Sequence, residues 1–172
     1  ACHLSPHLGG PGYGQVKLAL MNEILGRSSW ATTVFGTAAP DTGNMEILAM
    51  FGTDGQKAKY LQPLMDGQIC SAFSMTEPQG GADPTHFTCC ATRDGDQWVI
   101  EGEKWFISNA RYAAFQIVMA ITNPENPPHS RMSMFLVDAD TPGIEIIRNC
   151  GVIGEPADEG SDEESEEQVV SH

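Results

Sequence analysis

Apolar residues in the first third of the chain recur at the spacing of an α-helix. Leu18, Met21 and Leu25 lie three and four positions apart, so they would share one face of a helix. Gly26 follows directly and is a typical residue for a helix C-terminus. The pattern therefore predicts a helix that ends near residue 25, and a second helix is expected over residues 30–37.

Two further helices are predicted from their start signals. Pro40 precedes Asp41, a candidate N-cap for a third helix. The expected buried positions of that helix are Met45, Leu48 and Ala49. Thr53 and Gln56 have the spacing of a capping box, which predicts a fourth helix that runs to about residue 65 and stops at the Asp-Gly pair of residues 66–67.

Beyond residue 68 the pattern changes to short runs of β-branched and aromatic residues between Gly- and Pro-rich turns. A hairpin is predicted around Asp94 and Gly95, because this pair suits the positive φ of a tight primed turn. A second turn is predicted at residues 101–103. The strands are expected from residue 69 and over residues 87–92, 97–100, 104–108, 115–121, 132–137 and 144–147. This order predicts an α+β fold, with a helical segment followed by an antiparallel β block.

The formal net charge of −14 is unevenly distributed. Eight of the 23 acidic residues lie in residues 155–172, which contain no Lys or Arg, so like-charge repulsion predicts a disordered acidic tail. The chain has no basic stripe for a phosphate backbone, which argues against nucleic acid as a partner. Candidate cations for a smaller anionic ligand are Lys104, Arg111 and Arg131.

Cysteine usage and hydropathy argue against several other classes. The five cysteines form no C-x-x-C pair and lack the spacing of metal ligands, which favours reduced thiols over a disulfide scaffold or a metal site. No apolar run approaches the length of a membrane span, and the start of the chain lacks a secretory-signal pattern. We expect Ala1 to be a cut end rather than a natural start.

Residues 71–83, with the sequence Ser-Ala-Phe-Ser-Met-Thr-Glu-Pro-Gln-Gly-Gly-Ala-Asp, contain the strongest functional signal. Pro78 cannot donate to a sheet and restricts the residue before it to extended backbone. Strand pairing is therefore expected to fail here and to free polar groups around Met75 and Thr76. The glycine pair at residues 80–81 allows close approach to a phosphate. These features suit a planar heterocycle that carries a pyrophosphate.

Together with Lys-Trp-Phe-Ile-Ser-Asn at residues 104–109, this segment resembles the flavin-binding signature of the acyl-CoA dehydrogenase family. Further similarity covers residues 9–14, 23–28, 39–46, 52–64 and 140–144, so that the resemblance extends over residues 8–154. It implies a partial N-terminal helical domain over residues 1–67, a middle β-barrel domain over residues 68–154 and the acidic tail over residues 155–172.

The resemblance also implies FAD as the cofactor. In relatives of this kind, backbone amides and the hydroxyl at the position of Thr76 bind the pyrimidine end of the ring, the aromatic residue at Phe106 packs on the ring, and Ser108 reaches its reactive nitrogen region. Ala82 stands where many relatives have Ser, which removes one hydroxyl that could bind the pyrophosphate. The cofactor-binding candidates are Phe73, Met75, Thr76, Gly81, Ala82, Phe106 and Ser108. Glu77 is interpreted as structural.

The implied reaction is the α,β-dehydrogenation of an acyl-CoA thioester, in which a carboxylate takes the α-proton and FAD takes the β-hydride. In relatives this carboxylate lies in a C-terminal helical domain, so no catalytic residue is assigned here and the chain alone is expected to be inactive. The implied partners are acyl-CoA, an electron-transfer flavoprotein or another electron acceptor, and further copies of the complete protein. An intracellular location is expected: cytoplasmic in a bacterium, mitochondrial or peroxisomal in a eukaryote.

Two alternatives remain open from the sequence. An acyl-CoA oxidase or a flavin monooxygenase would share the same architecture. A non-catalytic interaction module would keep the barrel and use the acidic tail, in which Ser161 and Ser165 precede acidic runs suited to acidophilic kinases.

Overall fold

The computed structural model describes residues 2–151 and 169–171 of the chain. Helices occupy the first part and a sheet follows, so the predicted α+β class and its order are confirmed. Most of the acidic tail, including Ser161 and Ser165, lies outside the described residues. Its described part, Val169–Ser171, is a strand, and the disorder expected for the acidic tail stays a prediction.

A short 3-10 helix, Pro6–Leu8, and four longer helical segments precede the sheet. Their bounds are α1 Gly14–Leu25, α2 Ala31–Val34, α3 Asp41–Phe51 and α4, which consists of Asp54–Gln56, a π-helical stretch Lys57–Leu61 and Gln62–Met65. Helix α1 ends at Gly26 as predicted. Helix α2 is shorter than predicted, with a single α-helical turn. Among the described residues, no helix combines the length and the hydropathy that a membrane crossing requires.

Helix α3 is tied to the start of the sheet by buried polar side chains. Asp41 is its first residue rather than its N-cap, and the Asp41 carboxylate accepts hydrogen bonds from the backbone N–H and the hydroxyl of Ser71, at 2.8 and 2.6 Å. Asn44 is buried and donates to the Ser71 hydroxyl at 2.8 Å and to the Ala72 carbonyl at 3.0 Å. The predicted buried face is confirmed at Met45, Leu48 and Ala49.

Helix α4 begins with the predicted capping box. The Thr53 hydroxyl accepts from the Gln56 backbone N–H at 3.2 Å, and the Gln56 side chain accepts from the Thr53 N–H at 2.9 Å. Tyr60 packs its ring against Phe115, with ring centroids 4.7 Å apart. Gly67 ends the segment with a φ of +66°, a conformation that glycine adopts without steric cost.

The sheet contains seven strands, β1 Ser71–Ser74, β2 Cys90–Asp94, β3 Gln97–Lys104, β4 Phe115–Ile121, β5 Met132–Asp138, β6 Ile144–Glu145 and β7 Val169–Ser171. Their order is β1-β4-β2-β3-β7-β6, and β5 also pairs with β4. The last residue of β4, Ile121, pairs in parallel with the first residue of β2, Cys90. The sheet is therefore mixed, which corrects the prediction of a purely antiparallel block. Strand β4 runs parallel to β2. The two strands pair only where the last residue of β4 lies beside the first residue of β2.

The β2–β3 hairpin confirms one predicted turn and overturns another. Asp94 pairs with Gln97 across a two-residue connection, and Gly95 has a φ of +59° at its first position. The turn predicted at residues 101–103 is wrong, because β3 continues to Lys104. Gly102 instead allows a close approach between backbones: a Cβ on it would lie 2.7 Å from the Cα of Cys89.

The chain divides into two compact units. The first comprises Ala1–Ala72 and Tyr112–Phe115, and the second comprises Phe73–Arg111 with the described residues from Gln116 onward. In the second unit, a small apolar core forms around Cys89, Ala91 and Ala120, with Ile100 and Phe135 packed against it. The candidate site residues all belong to this second unit.

Substitution of Gly102 by Ala should destabilise the protein, because the new methyl group would overlap the backbone of Cys89. We expect a loss of roughly 1–3 kcal/mol in the free energy of unfolding, measured by urea denaturation. Gly55→Ala is the matched control, since nothing lies within 4 Å of its Cβ position and it is helical. Equal stability of the two variants would contradict the close packing assigned to Gly102.

Candidate functional site

Strand β1 ends at Ser74, and the chain then continues through Met75 and Thr76 without strand structure. The carbonyl groups here are occupied, contrary to the prediction that they are free. The Met75 carbonyl accepts from the Lys104 ammonium at 3.1 Å, and the Thr76 carbonyl accepts from the Trp105 backbone N–H at 2.8 Å. Both donors come from the end of β3. These two donors therefore satisfy the carbonyl groups that lack a partner strand.

The backbone N–H groups of this segment differ from its carbonyls in their hydrogen bonding. No described residue accepts a hydrogen bond from the backbone N–H of Met75 or of Thr76. Both residues are half-buried. Because backbone N–H groups rarely remain without an acceptor, they are candidates for binding a ligand that presents oxygen or nitrogen acceptors.

Glu77 is almost completely buried, at 2% exposure, and its carboxylate is fully used. One oxygen accepts from the Lys104 ammonium at 2.8 Å and from the Cys89 backbone N–H at 3.1 Å. The other accepts from the backbone N–H of Thr88 at 2.6 Å, from its hydroxyl at 3.1 Å and from the side chain of Gln79. The carboxylate thus joins the site to the segment that leads into β2.

Lys104 is buried at 5% exposure, and its ammonium has three partners. It donates to the Glu77 carboxylate and to the Met75 carbonyl, and it lies 5.0 Å from the centroid of the Phe87 ring. Lys104 is the last residue of β3. A buried ammonium held on three sides has little freedom to move, so it fixes the position of the Met75 carbonyl.

The electrostatics of the pair favour the ionised form of Glu77. Burial raises the pKa of the Glu77 carboxyl, but the hydrogen bond and charge of Lys104 and the N–H groups of Thr88 and Cys89 lower it more. The net pKa lies below the ordinary value for glutamate. Burial raises the pKa of the neighbouring Cys89 thiol to about 11, with Lys104 opposing the change and Glu77 adding to it. Cys89 is therefore a protonated, non-nucleophilic thiol at neutral pH.

The glycine turn approaches Thr76 closely. A Cβ on Gly81 would lie 3.0 Å from the Thr76 methyl group and 3.3 Å from its hydroxyl oxygen. Gly81 and Ala82 are exposed, and the turn is held by two backbone hydrogen bonds between Glu77 and Gly80, at 3.1 and 3.0 Å. The structure therefore brings together two of the predicted residues, Thr76 and Gly81, and leaves the turn accessible.

The segment after β3 is not the strand that the sequence predicts. A strand was predicted over residues 104–108, but β3 ends at Lys104 and Phe106 has a φ of +56°. This left-handed backbone is uncommon outside glycine and asparagine and is typical of functional sites. The Phe106 side chain is 67% exposed, with its ring 5.5 Å from that of Trp105. Ser108 is exposed in the turn that follows.

The remaining predicted residues are distributed around this strand end. Phe73 lies within β1 and is half-buried. Among the described residues, no hydrogen bond joins Ser108 or Ala82 to the Met75–Thr76 backbone. A direct connection between the two motifs is made instead by Trp105, whose backbone N–H holds Thr76, and by Lys104.

Lys104 and Arg131, both suggested as cations for an anionic ligand, are engaged within the protein. Lys104 is buried against Glu77, so it is not available to coenzyme A. Arg131 donates to the carbonyls of Thr85 and Phe87 from a half-buried position, at 2.5 and 3.3 Å. Arg111 is exposed. The suggestion from the sequence is therefore wrong for Lys104, because the partner charge lies 27 residues away in a different motif.

Several observations fit a flavin at this strand end. Two neighbouring N–H donors face no acceptor in the part of the chain that the structure describes, Gly81 leaves space beside the Thr76 hydroxyl, and an exposed aromatic ring follows directly in the Lys104 motif. The carbonyl and nitrogen acceptors of a pyrimidine ring are suitable partners for such donors. Thr76, Met75 and Gly81 would hold the ring edge and the pyrophosphate.

The chain matches two models of one protein family. Residues 72–162 match the middle domain of acyl-CoA dehydrogenases, and residues 1–68 match their N-terminal domain. FadE2 of Mycobacterium tuberculosis, named as an acyl-CoA dehydrogenase, is 46% identical over 147 residues. A solved Mycobacterium abscessus chain, described as being of the same enzyme class, has a TM-score of 0.83 at 38% identity over 97% of this chain. PigA, solved with FAD and proline, has a TM-score of 0.72 at 28% identity over 99% of the chain.

The chain spans less than half of these relatives. The match to FadE2 covers 83% of this chain and 36% of the relative. The matched parts of the two solved chains amount to 40% of the Mycobacterium abscessus protein and 43% of PigA.

The Glu77–Lys104 pair should make stability depend on pH in the acid range. The pKa of Glu77 is lowered on folding, so its ionised carboxylate stabilises the folded protein. This contribution to the free energy of unfolding is fully present above the ordinary glutamate pKa of about 4.3, and it is lost as the pH falls through the lower pKa of the folded state. Glu77→Gln leaves the Lys104 charge buried and unpaired, so we expect a loss of about 3–5 kcal/mol at pH 7.

The measurement is urea denaturation of the parent chain and of Glu77→Gln at several pH values from 7 down to 3. The difference in unfolding free energy between the two proteins should narrow as the pH falls below about 4.3. A difference that stays constant over the whole range would show that the Glu77 carboxylate is not preferentially ionised in the folded protein.

Proposed function

The chain belongs to the acyl-CoA dehydrogenase family, and from this premise we propose that it forms one wall of the FAD site of an acyl-CoA dehydrogenase. In this proposal residues 1–67 are part of the N-terminal helical domain, and residues 68–154 are the middle β-barrel domain. The observation that carries the proposal is the pair of N–H donors at Met75 and Thr76, which have no acceptor among residues 2–151 and 169–171 and lie within the flavin motif.

Each predicted residue has a role in this site. The N–H groups of Met75 and Thr76 and the Thr76 hydroxyl bind the pyrimidine edge of the ring, while Phe73 lines the strand that leads to it. The N–H groups of Gly81 and Ala82 bind the pyrophosphate, for which their exposed turn offers access. On the other side, the exposed Phe106 packs against the ring and the Ser108 hydroxyl reaches its central nitrogen region.

The reaction assigned to the complete protein is the α,β-dehydrogenation of an acyl-CoA thioester, for which bound FAD accepts the β-hydride. The carboxylate that takes the α-proton belongs to a part of the protein outside this chain. Glu77 does not fill this role, because it is buried, ionised and hydrogen-bonded to Lys104. The residues of this chain therefore bind and orient the cofactor, and they exclude water from one side of it.

The proposed partners follow from the family. They are the acyl-CoA substrate, an electron-transfer flavoprotein or other acceptor that reoxidises the cofactor, and further copies of the complete protein. The similarity to PigA, which was solved with FAD, supports the cofactor. An oxidase or monooxygenase of the same architecture would use the same wall and differ in the part of the protein that this chain does not contain.

Replacement of Gly81 by Ala should weaken FAD binding, because the added methyl group would press on the Thr76 side chain at 3.0 Å and displace its hydroxyl. We expect about a tenfold rise in the dissociation constant for FAD, measured by fluorescence titration of the 172-residue chain. Gly80→Ala is the control, since nothing lies within 4 Å of its Cβ position, and it should bind FAD within about twofold of the parent. A parent chain that binds no FAD, or two variants with equal affinity, would contradict the proposed site.

The chain should lack acyl-CoA dehydrogenation on its own and gain it when the missing carboxylate is supplied. The experiment fuses residues 1–154 to the part of FadE2 that follows the matched region, and follows reduction of an artificial electron acceptor with acyl-CoA substrates. Activity of the fusion and none from the chain with added FAD is the expected result. Turnover by the chain alone would show that the base lies within it.

A further inference from the structure

The Met75–Thr76 peptide group joins the buried ion pair to the candidate ligand. The carbonyl of Met75 and the N–H of Thr76 belong to the same planar peptide unit. The carbonyl end accepts a hydrogen bond from the Lys104 ammonium at 3.1 Å, and the N–H end points to no described protein acceptor. A cation that binds the oxygen of a peptide draws electron density from its nitrogen, so the N–H becomes a stronger donor.

The same peptide is fixed in orientation as well as polarised. The next peptide, between Thr76 and Glu77, is held at both ends, because its carbonyl accepts from Trp105 N–H at 2.8 Å and its N–H donates to the Gly80 carbonyl at 3.1 Å. Lys104 itself is fixed by Glu77 at 2.8 Å and by the face of Phe87. The strand end therefore presents its free donors from a rigid frame.

We propose that Lys104 is a positioning residue that strengthens ligand binding through the Met75–Thr76 peptide, so that the Thr76 N–H acts as a charge-assisted donor to an acceptor atom of the flavin ring. Glu77 holds the ammonium in place and balances its charge. The pair thus strengthens cofactor binding without contacting the cofactor. This inference rests on the proposed function, since it concerns the cofactor assigned there.

The alternative is that the pair only stabilises the fold. A purely structural pair would change the melting temperature when removed but would leave the Thr76 donor and the affinity of the folded protein for FAD unchanged. The two possibilities differ in the electronic state of one N–H group, which is measurable without any ligand.

The first test compares the 172-residue parent with Lys104→Met and with the double variant Glu77→Gln/Lys104→Met. The single variant leaves a buried, unpaired carboxylate, which destabilises the folded protein. The double variant removes both charges together. Lys17→Met is the control, because Lys17 is an exposed lysine whose ammonium lies over the ring of Tyr13. Melting temperatures identify the variants that are folded at the temperature of the titration.

The expected result is about a tenfold weaker affinity for FAD in the folded variants of the pair, the difference between a charge-assisted and a neutral hydrogen bond. Lys17→Met should bind FAD like the parent. The ¹⁵N chemical shift of Thr76 in the ligand-free protein should also move in the double variant. It should stay unchanged in Lys17→Met.

Two outcomes would overturn the inference while leaving the proposed function intact. The first is a folded double variant that binds FAD within twofold of the parent, and the second is a Thr76 ¹⁵N shift that does not change when Lys104 is removed. If the parent itself binds no FAD, the proposed function fails and the ligand role of Lys104 fails with it. The Thr76 shift then still reports whether Lys104 polarises the peptide.

Discussion

The buried ion pair between Glu77 and Lys104 is the interaction on which the geometry of the candidate site depends. It joins the end of β1 to the end of β3, and through Thr88 and Cys89 it also holds the entry to β2. A buried pair contributes little net stability compared with apolar residues of the same size, but it requires one arrangement of its partners. Three chain segments are therefore fixed relative to each other within the second unit.

This arrangement separates the acceptors of the strand end from its donors. The carbonyls of Met75 and Thr76 are taken by Lys104 and Trp105, while their N–H groups remain available. A ligand rich in acceptors, such as the pyrimidine edge of a flavin, is a suitable partner for these donors. The left-handed backbone of Phe106 directly follows the anchored Trp105, so the exposed ring is presented by the same fixed segment.

Local patterns in the sequence predicted the helices and the hairpin well. The capping box of Thr53, the buried face of α3 and strand β4 depend on neighbours in sequence, and the structure has them as expected. Gly102 was misinterpreted as a turn because its role depends on the backbone of Cys89, which only the folded hairpin brings near.

The site itself was only partly predictable. The two motifs were recognised in the sequence, but their contact at Thr76 and the hydrogen-bonding state of the strand end were not predicted. Lys104 was interpreted as an accessible cation, because nothing local indicates that its partner is Glu77, 27 residues earlier. The signal that could have found the pair is the acidic Glu77 within the apolar and neutral run of residues 71–82 and the basic Lys104 in the second motif, since buried charges are usually paired.

The most direct test of this account is a crystal structure of the chain with FAD bound. The account predicts that the Thr76 backbone N–H lies about 3 Å from an acceptor atom of the pyrimidine ring, while Lys104 still binds the Met75 carbonyl and Glu77. A ring located away from the Met75–Thr76 backbone, or a Lys104 ammonium that turns to contact the cofactor directly, would contradict it.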